Sequence, residues 1–373
     1  MKKITISLLL ATVIFISCDN NFDAKNQDAK DDTTLSQRTT TMFDYIESTY
    51  IENGLSSDCE NNILIFPSLE KYEYTIDLFD DIVDQHCDAF ENSANPNLTD
   101  EEYELLSETS GFDEDQPLRD FEQDLAFCSL WSKIYNEETQ WLSQQGDGVW
   151  NEDEDPDNHF IDEETERILL NVGSEVMIGS RNNFLIYKFF DWGYLTIANN
   201  DTQALVDINT TGVVPLDNPN VVVVRDNNQT QLTDCKGNRL YRNKFSTGSK
   251  TRIKIVGKSV DFRGEPNALK SSKIKVKTKY YRKKLGVWTR GKTTLTAGVE
   301  GEYKRREYFQ DYNECGQPNA KRDYKTRKRS KVKYKYKGDA DSYFRFEDNK
   351  FRGVHKRRTD IIKQVDFFNY DVI

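Results

Sequence analysis

The chain has 373 residues, of which 36% are hydrophobic, 12% aromatic and 31% charged, and its formal net charge is −12. This length is enough for two or three domains, and the aromatic content excludes an intrinsically disordered chain. Residues 19–235, here called the acidic segment, contain 48 Asp and Glu against 10 Lys and Arg, whereas residues 236–373, the basic segment, contain 15 against 39. The resulting net charges of −38 and +24 predict either contact with a polyanion or docking of one segment on the other.

The first residues predict export. Met1-Lys2-Lys3 precede an apolar run of fourteen residues, from Ile4 to Ser17, and this layout is typical of a secretory signal peptide (residues 1–17). A spanning helix needs about 20 residues, so a retained transmembrane helix is the weaker alternative. The pair Ser17-Cys18 resembles a lipobox, which implies cleavage before Cys18 and lipidation of that cysteine. A plain signal peptide that happens to end in Ser-Cys is the remaining alternative.

Residues 18–39 predict a lipidated cysteine followed by a flexible tether, because the stretch is polar and almost without apolar residues. Its start, Cys18-Asp19-Asn20-Asn21-Phe22-Asp23, resembles the short acidic export tag of surface lipoproteins in the Bacteroidota. The resemblance implies an outer-membrane lipoprotein exposed at the cell surface. Its membrane contact would be made by the lipid, since more than one acyl chain anchors a protein stably.

Residues 40–145 predict an acidic helical domain. Apolar residues from Leu69 to Phe90 recur at three- and four-residue steps, and a second stripe extends from Leu118 to Tyr135. Thr99 and Glu102 have the spacing of a capping box. The opposite faces are rich in Asp and Glu, and we interpret them as solvated faces rather than as binding helices.

Residues 146–235 predict a short helix near 162–170 and a small β region. Short apolar runs at residues 175–179, 184–190, 194–197 and 221–224 are separated by turn residues, as in short strands. Three motifs in this part, Leu170-Asn171, Glu175-Val176-Met177-Ile178-Gly179 and Ile186-Tyr187-Lys188, are similar to the signature of an uncharacterised group of Bacteroidota surface lipoproteins. The resemblance covers roughly residues 60–200 and supports the location and the fold, with no activity attached.

One acidic stretch has the spacing of a calcium loop. Asp153, Asp155, Asp157 and Glu164 occupy positions one, three, five and twelve of an EF-hand pattern, whose oxygen ligands wrap a hard cation. Asn158 stands where the pattern has Gly, and Pro156 is unusual at position four. An acidic turn that caps the following helix explains the stretch without a metal, so the sequence predicts no metal site and keeps calcium as the minor alternative.

Residues 236–373 predict a basic all-β domain, either an antiparallel sandwich or an open barrel, which makes the whole chain α+β. The strands alternate polar and apolar residues at a period of two. The strongest pattern is a pair of lysine rows, in which the lysines share one strand face and apolar or aromatic residues the other. The rows are Lys273, Lys275, Lys277 and Lys279, and Lys331, Lys333, Lys335 and Lys337.

The lysine rows have three interpretations. They are a candidate face for an external polyanion, such as an acidic polysaccharide. Alternatively, they are a solvated face that keeps the sheet soluble, or the acidic segment covers them.

The cysteines predict disulfides, because an exported protein folds where disulfides persist. Cys235, at the end of the acidic segment, and Cys315 of the basic segment are expected to pair. Besides Cys18, which is expected to be lipidated, Cys59, Cys87 and Cys128 remain, so one of these three is left over. The histidines are scattered and no Cys-x-x-Cys spacing exists, so the sequence predicts no zinc site and no cofactor.

The sequence contains no recognisable catalytic constellation. It has no Gly-x-Ser-x-Gly nucleophile motif and no Gly-x-Gly-x-x-Gly. We therefore expect a non-enzymatic surface lipoprotein that acts as a binding or adhesive module, with polyanions as candidate ligands. The alternative is a structural or assembly subunit whose basic face docks a protein or the acidic domain, and a hydrolase without a recognisable motif is a third. The oligomeric state stays open.

Overall fold

The computed structural model describes residues 43–55, 57–148, 150–225, 240–246, 251–260, 271–307, 318–337, 342–358 and 360–366. The α-helices are α1 (Asp58–Asn61), α2 (Leu69–Ser93), α3 (Asp100–Thr109), α4 (Gln116–Leu125), α5 (Leu130–Gln144), α6 (Glu164–Arg167) and α7 (Thr202–Thr211). Short 3₁₀ turns lie at Glu152–Glu154 and Pro156–Asn158. No helix in these ranges is both long and apolar enough to cross a bilayer.

The strands of the acidic segment are β1 (Glu47–Tyr50), β2 (Asn62–Phe66), β3 (Glu175–Ser180), β4 (Asn183–Phe190), β5 (Gly193–Ala198) and β6 (Val221–Arg225). Those of the basic segment are β7 (Leu240–Ser246), β8 (Thr251–Val260), β9 (Ser271–Lys284), β10 (Val287–Arg290), β11 (Thr293–Glu307), β12 (Pro318–Arg329), β13 (Lys331–Lys337), β14 (Ser342–Arg357) and β15 (Asp360–Asp366). The fold is therefore mixed α+β.

Local signals set the starts of the helices. The Ser68 side chain accepts a hydrogen bond from the backbone N–H of Lys71 and begins α2, and the capping box of Thr99 and Glu102 begins α3 as predicted. The second apolar stripe is interrupted, because Ala126 adopts a left-handed conformation after α4 and the chain starts again as α5. Two helices therefore replace the single predicted one.

The first sheet has the order β1-β2-β3-β4-β5-β6, and only β2 and β3 are parallel in it. One face, with Phe66, packs on α2, α4 and α5, and the other, with Ile65, packs on α7. Because β2 and β3 pair, residues 40–145 and 146–225 share one sheet.

The basic segment forms two open sheets, so the open-barrel alternative is wrong. In the second sheet, β9 pairs with β8 along one edge and with β13 and then β10 along the other. The third sheet has the order β12-β11-β14-β15. Strands β9 and β13 lie against β11 and β14, with Val276, Leu295, Ala297 and Val332 buried between them. Strand β15 pairs with β14 at the edge of this sheet, and residues 367–373 lie outside the described ranges.

A disulfide joins Cys59 of α1 to Cys128, just before α5. Cys87 on α2 is buried with a free thiol, in agreement with the expected unpaired cysteine of the acidic segment. Cys18, Cys235 and Cys315 lie outside the described residues, so lipidation of Cys18 and the Cys235–Cys315 disulfide stay predictions.

Candidate functional site

The two lysine rows lie side by side on adjacent antiparallel strands. Lys331 pairs with Lys279, Lys333 with Lys277, and Lys335 with Lys275 in the register of β13 and β9. Like charges directly opposite each other in a sheet repel. Two adjacent rows of ammonium groups therefore need counterions, whether these come from outside or from the protein. The side chains of Lys273 and Lys337 lie outside the described part of the structure.

Carboxylates of the acidic segment supply the counterions for β9. The Lys275 Nζ lies 3.0 Å from Asp162 Oδ2, and the Lys277 Nζ lies 3.1 Å from Asp157 Oδ2. The Lys279 Nζ reaches Glu138 at 3.2 Å. All three lysines are buried, with side chains 4% exposed or less. This burial is possible because each charge meets an opposite charge.

The row on β13 is paired in the same way, with its side chains partly exposed. Lys331 binds Glu164, and Lys333 binds Asp80. Lys335 makes three contacts, at 2.7 Å to Asp77, 2.8 Å to Asp80 and 3.0 Å to Glu163. Every lysine whose side chain is described in the two rows therefore faces carboxylates of the acidic segment.

Helix α2 contributes a stripe of acids to this contact. The acids recur at three- and four-residue steps, so they share one face of the helix; they are Asp77, Asp80, Asp84, Asp88 and Glu91. A helix turn rises about 5.4 Å and alternate residues of a strand lie about 6.8 Å apart, so such a stripe can follow a row of cations. Beyond the lysine rows, the stripe meets Lys325, Arg327 and Arg329 of β12.

Asp157 is at the centre of the contact. Its side chain is 1% exposed and lies 2.6 Å from the Arg167 guanidinium and 3.1 Å from the ammonium groups of both Lys277 and Lys279. The 3₁₀ turn at Pro156–Asn158 holds it in place, with the Asp155 side chain accepting the Asp157 N–H. Protein cations thus surround this carboxylate.

Two of the four residues of the candidate calcium loop contact cations of the protein, and calcium binding stays the minor alternative. Asp157 and Glu164 direct their oxygens at lysine and arginine side chains, and Asp153 is exposed to solvent. Among the residues that the structure describes, no group of three or more His, Cys, Asp or Glu is arranged to hold a metal ion.

The charges shift the pKa values of the groups in the contact. Burial alone would raise the pKa of Glu164, but the ammonium groups of Lys331, Lys277 and Lys279 hold it well below its ordinary value. Burial lowers the pKa of Lys277 to about 8, against the opposing effect of Asp157 and Glu164. Burial also acts to lower the pKa of Lys335, but Glu163, Asp80 and Asp77 raise it above its ordinary value.

An aromatic cluster completes the contact at one end. Trp141 of α5 and Trp150 pack with Tyr281 of β9 and Trp288 of β10. The ring centroids of Trp150 and Trp288 are 5.2 Å apart. The indole N–H groups of these two residues both donate to the Gly146 carbonyl, at 3.0 and 3.1 Å. The cluster spans both segments and can report on their separation through its fluorescence.

Three polar residues of the motifs between residues 170 and 188, Asn171, Glu175 and Lys188, meet in a second, separate network. The Glu175 carboxylate accepts hydrogen bonds from Asn171 at 2.8 Å, Asn53 at 3.0 Å, Asn209 at 2.8 Å and the Lys188 ammonium at 3.0 Å. With four donors on two oxygens, the buried carboxylate is fully hydrogen-bonded. We interpret this network as structural, because it joins β3 and β4 to α7 and to the loop before α1.

The arrangement of the lysine rows corresponds to the docking interpretation among the three that the sequence left open. Their described ammonium groups are engaged with Asp and Glu of the same chain, so the rows are not the open cationic face of the first interpretation. In this arrangement the β9 lysines are buried, and an external polyanion would have to compete with the chain's own carboxylates for the partly exposed lysines of β13. Binding of a polyanion by the separated rows stays a prediction.

Comparisons with known proteins give little context. No protein-family model matches the chain, and no curated protein matches it. One solved structure, of a DUF4848 family protein from Bacteroides thetaiotaomicron VPI-5482, matches at 11% sequence identity. The match covers 84% of this chain and 95% of that protein's chain. Its TM-score is 0.18, which is too low to support any statement on fold or function.

Proposed function

We propose that this chain is an exported surface lipoprotein, anchored through Cys18, that acts without catalysis as a structural module. Its basic β part is held against its acidic helices, and the paired lysine rows of β9 and β13 are the observation that carries the proposal. The predicted tether of residues 18–39 would connect this module to the outer membrane. A docked module of this kind suits an assembly or spacer role at the cell surface.

The physical reason for a structural role is that the buried part of this contact depends on the presence of both charged partners. Exposed ion pairs contribute only about 0–1 kcal/mol each, whereas removal of one partner from a buried pair costs about 3–5 kcal/mol. Three lysines of β9 belong to the buried class. Charge pairing of this kind also favours one fit of the two parts, because a different fit would leave buried lysines without a carboxylate partner.

The docking is tested by exchanging charges. Lys335→Glu and Asp77→Lys should each destabilise the full-length protein, since each places like charges in contact, and the double variant should recover part of the loss. Neighbouring residues in one ion-pair network couple by about 0.5–3 kcal/mol. The same exchange on the exposed pair Arg181–Glu47 is the control and should show weak coupling. Additive effects at Lys335 and Asp77 would contradict docking through these charges.

The lipid anchor is tested separately. Cys18→Ala should abolish incorporation of labelled fatty acid and release the protein from the membrane fraction. Ser17→Ala is the matched control, since it keeps a small residue before the cysteine, and it should be lipidated like the wild type. Firm membrane retention of Cys18→Ala would refute the anchor and leave the docking proposal untouched.

A further inference from the structure

The third sheet has a second face, turned away from the lysine rows. In the register of β12, β11 and β14, Tyr324 lies beside Gly298 and Thr326 beside Thr296, and Lys356 lies beyond Thr296 on the other side. Leu295, Ala297 and Val299 point the opposite way, into the space between the sheets, where they are fully buried. Strand alternation therefore places Tyr324 and Lys356 on the outer face, together with Arg322.

Tyr324 lies flat on this face over a glycine. A Cβ at Gly298 would meet Tyr324 Cδ1 at 2.4 Å and the Asp323 carbonyl oxygen at 2.3 Å, so only glycine fits beneath the ring. One side of the ring therefore covers backbone, and the side chain remains partly exposed. A flat aromatic ring on an open sheet is a stacking surface.

Two cationic side chains lie close to this ring. The guanidinium carbon of Arg322 lies 5.9 Å from the ring centroid, and the Lys356 Nζ lies 5.7 Å from it. Arg322 also donates from Nε to the Tyr324 hydroxyl at 2.9 Å, which fixes the guanidinium beside the ring, while its side chain stays 72% exposed. The Arg322 guanidinium also lies 3.6 Å from the Glu300 carboxylate. The remaining guanidinium donors can face a ligand.

We propose that Arg322, Tyr324 and Lys356 form a binding site for an acidic polysaccharide on the outer face of the third sheet. A sugar ring would stack on Tyr324, and its carboxylate or sulfate groups would accept hydrogen bonds from Arg322 and Lys356. The hydroxyl of the exposed Thr326, which shares a 2.8 Å hydrogen bond with the buried Thr296, lies next to the ring and can bind sugar hydroxyls. This site needs no separation of the segments, so it stands or fails independently of the docking proposal.

The test uses the mature full-length protein in detergent, with polygalacturonate as a carboxylated probe, heparin as a sulfated probe and dextran as a neutral one. At low salt the wild type should bind one or both acidic polymers and not dextran, with affinity that falls as salt rises. Arg322→Gln with Lys356→Gln should weaken binding by at least about tenfold, the effect of losing one charged hydrogen bond. The polymer that binds more tightly identifies the preferred anion.

Two further variants separate the site from general electrostatics. Lys283→Gln with Lys284→Gln removes the same charge at the β9–β10 hairpin and should leave affinity within about twofold. Tyr324→Phe keeps the ring and should bind, whereas Tyr324→Ala should not, with thermal melts confirming that both are folded. No binding by the wild type, an equal loss in the hairpin variant, or equally tight, Tyr324-dependent binding of double-stranded DNA would overturn the proposal.

Discussion

Asp157→Asn is the sharpest test of how the buried charges hold this fold. The substitution keeps the size and one acceptor oxygen of the side chain but removes the negative charge between Arg167, Lys277 and Lys279. The three cations then remain buried with less compensation. Because removing one partner of a buried pair costs about 3–5 kcal/mol, we expect at least about 3 kcal/mol of lost stability.

Asp113→Asn is the matched control. Asp113 pairs with Arg119 at 2.7 Å, but the two side chains are 34% and 38% exposed, so the same chemical change should cost about 0–1 kcal/mol. Urea unfolding would be followed by circular dichroism and by the fluorescence of the Trp141–Trp150–Trp288 cluster. If the segments separate before they unfold, the fluorescence transition of Asp157→Asn will precede the circular dichroism transition. Equal losses in Asp157→Asn and Asp113→Asn would refute the reasoning.

Three further predictions concern pH and the disulfide. Burial lowers the pKa of His355 to about 3, so below pH 6.5 the unfolded chain binds a proton that the folded chain does not. In urea titrations between pH 6.5 and 4.5, the free energy of unfolding should fall by up to about 1.4 kcal/mol for each unit by which the pH is lowered, and by less in His355→Asn. The pKa of Glu164 is held low in the folded state, so its contribution should be present above about pH 4.5 and lost below it; acid titration of Glu164→Gln should lack this step. The Cys59–Cys128 disulfide joins residues separated by 69 positions. Its reduction, or replacement of both cysteines by alanine, should lower the stability measured in a thermal melt by about 4 kcal/mol, and a melt unaffected by reduction would contradict this.

Much of the local structure follows from short-range sequence signals. Ser68 and Thr99 cap helices as their sequence contexts predict, and the four predicted strands between residues 175 and 224 are present. Helix α7 also had such signals, since Asp201 caps its start and Gly212, at φ 70°, ends it. Its apolar positions, such as Leu205 and Ile208, are too few to show a helical period in the sequence.

These short-range signals could not predict which strands pair when they are far apart in the sequence. Strand β2 adds to the first sheet by pairing Ile65 with Met177, more than 100 residues later, and no local pattern specifies such a partner. The same limit applied to the Glu175 network, whose donors Asn53 and Asn209 lie far from the signature motifs in the sequence. The motifs identified the carboxylate and its lysine but not the amides that complete the network.

The lysine rows show why alternation in a sequence does not reveal burial. A period of two tells which residues share a face of a strand and not what covers that face, and charged faces usually meet water. The decisive signal was the match between two patterns: lysines at every second residue of β13, and acids at every third or fourth residue of α2. The lysines of β9 meet acids outside α2. Each pattern alone is typical of a solvated surface. Together with segment charges of −38 and +24, they indicate a pair of complementary surfaces.

Complementarity of this kind links the folding of the two segments. Without the acidic helices, lysines stand opposite lysines along β9 and β13, and their repulsion opposes the pairing of those strands. With the helices in place, each described lysine of the rows contacts one or more carboxylates, and the repulsion is replaced by attraction in a partly desolvated contact. The basic strands are therefore expected to be stable only when docked. An external anion must then either compete with the chain's own carboxylates or bind the outer face, where Tyr324 is accessible.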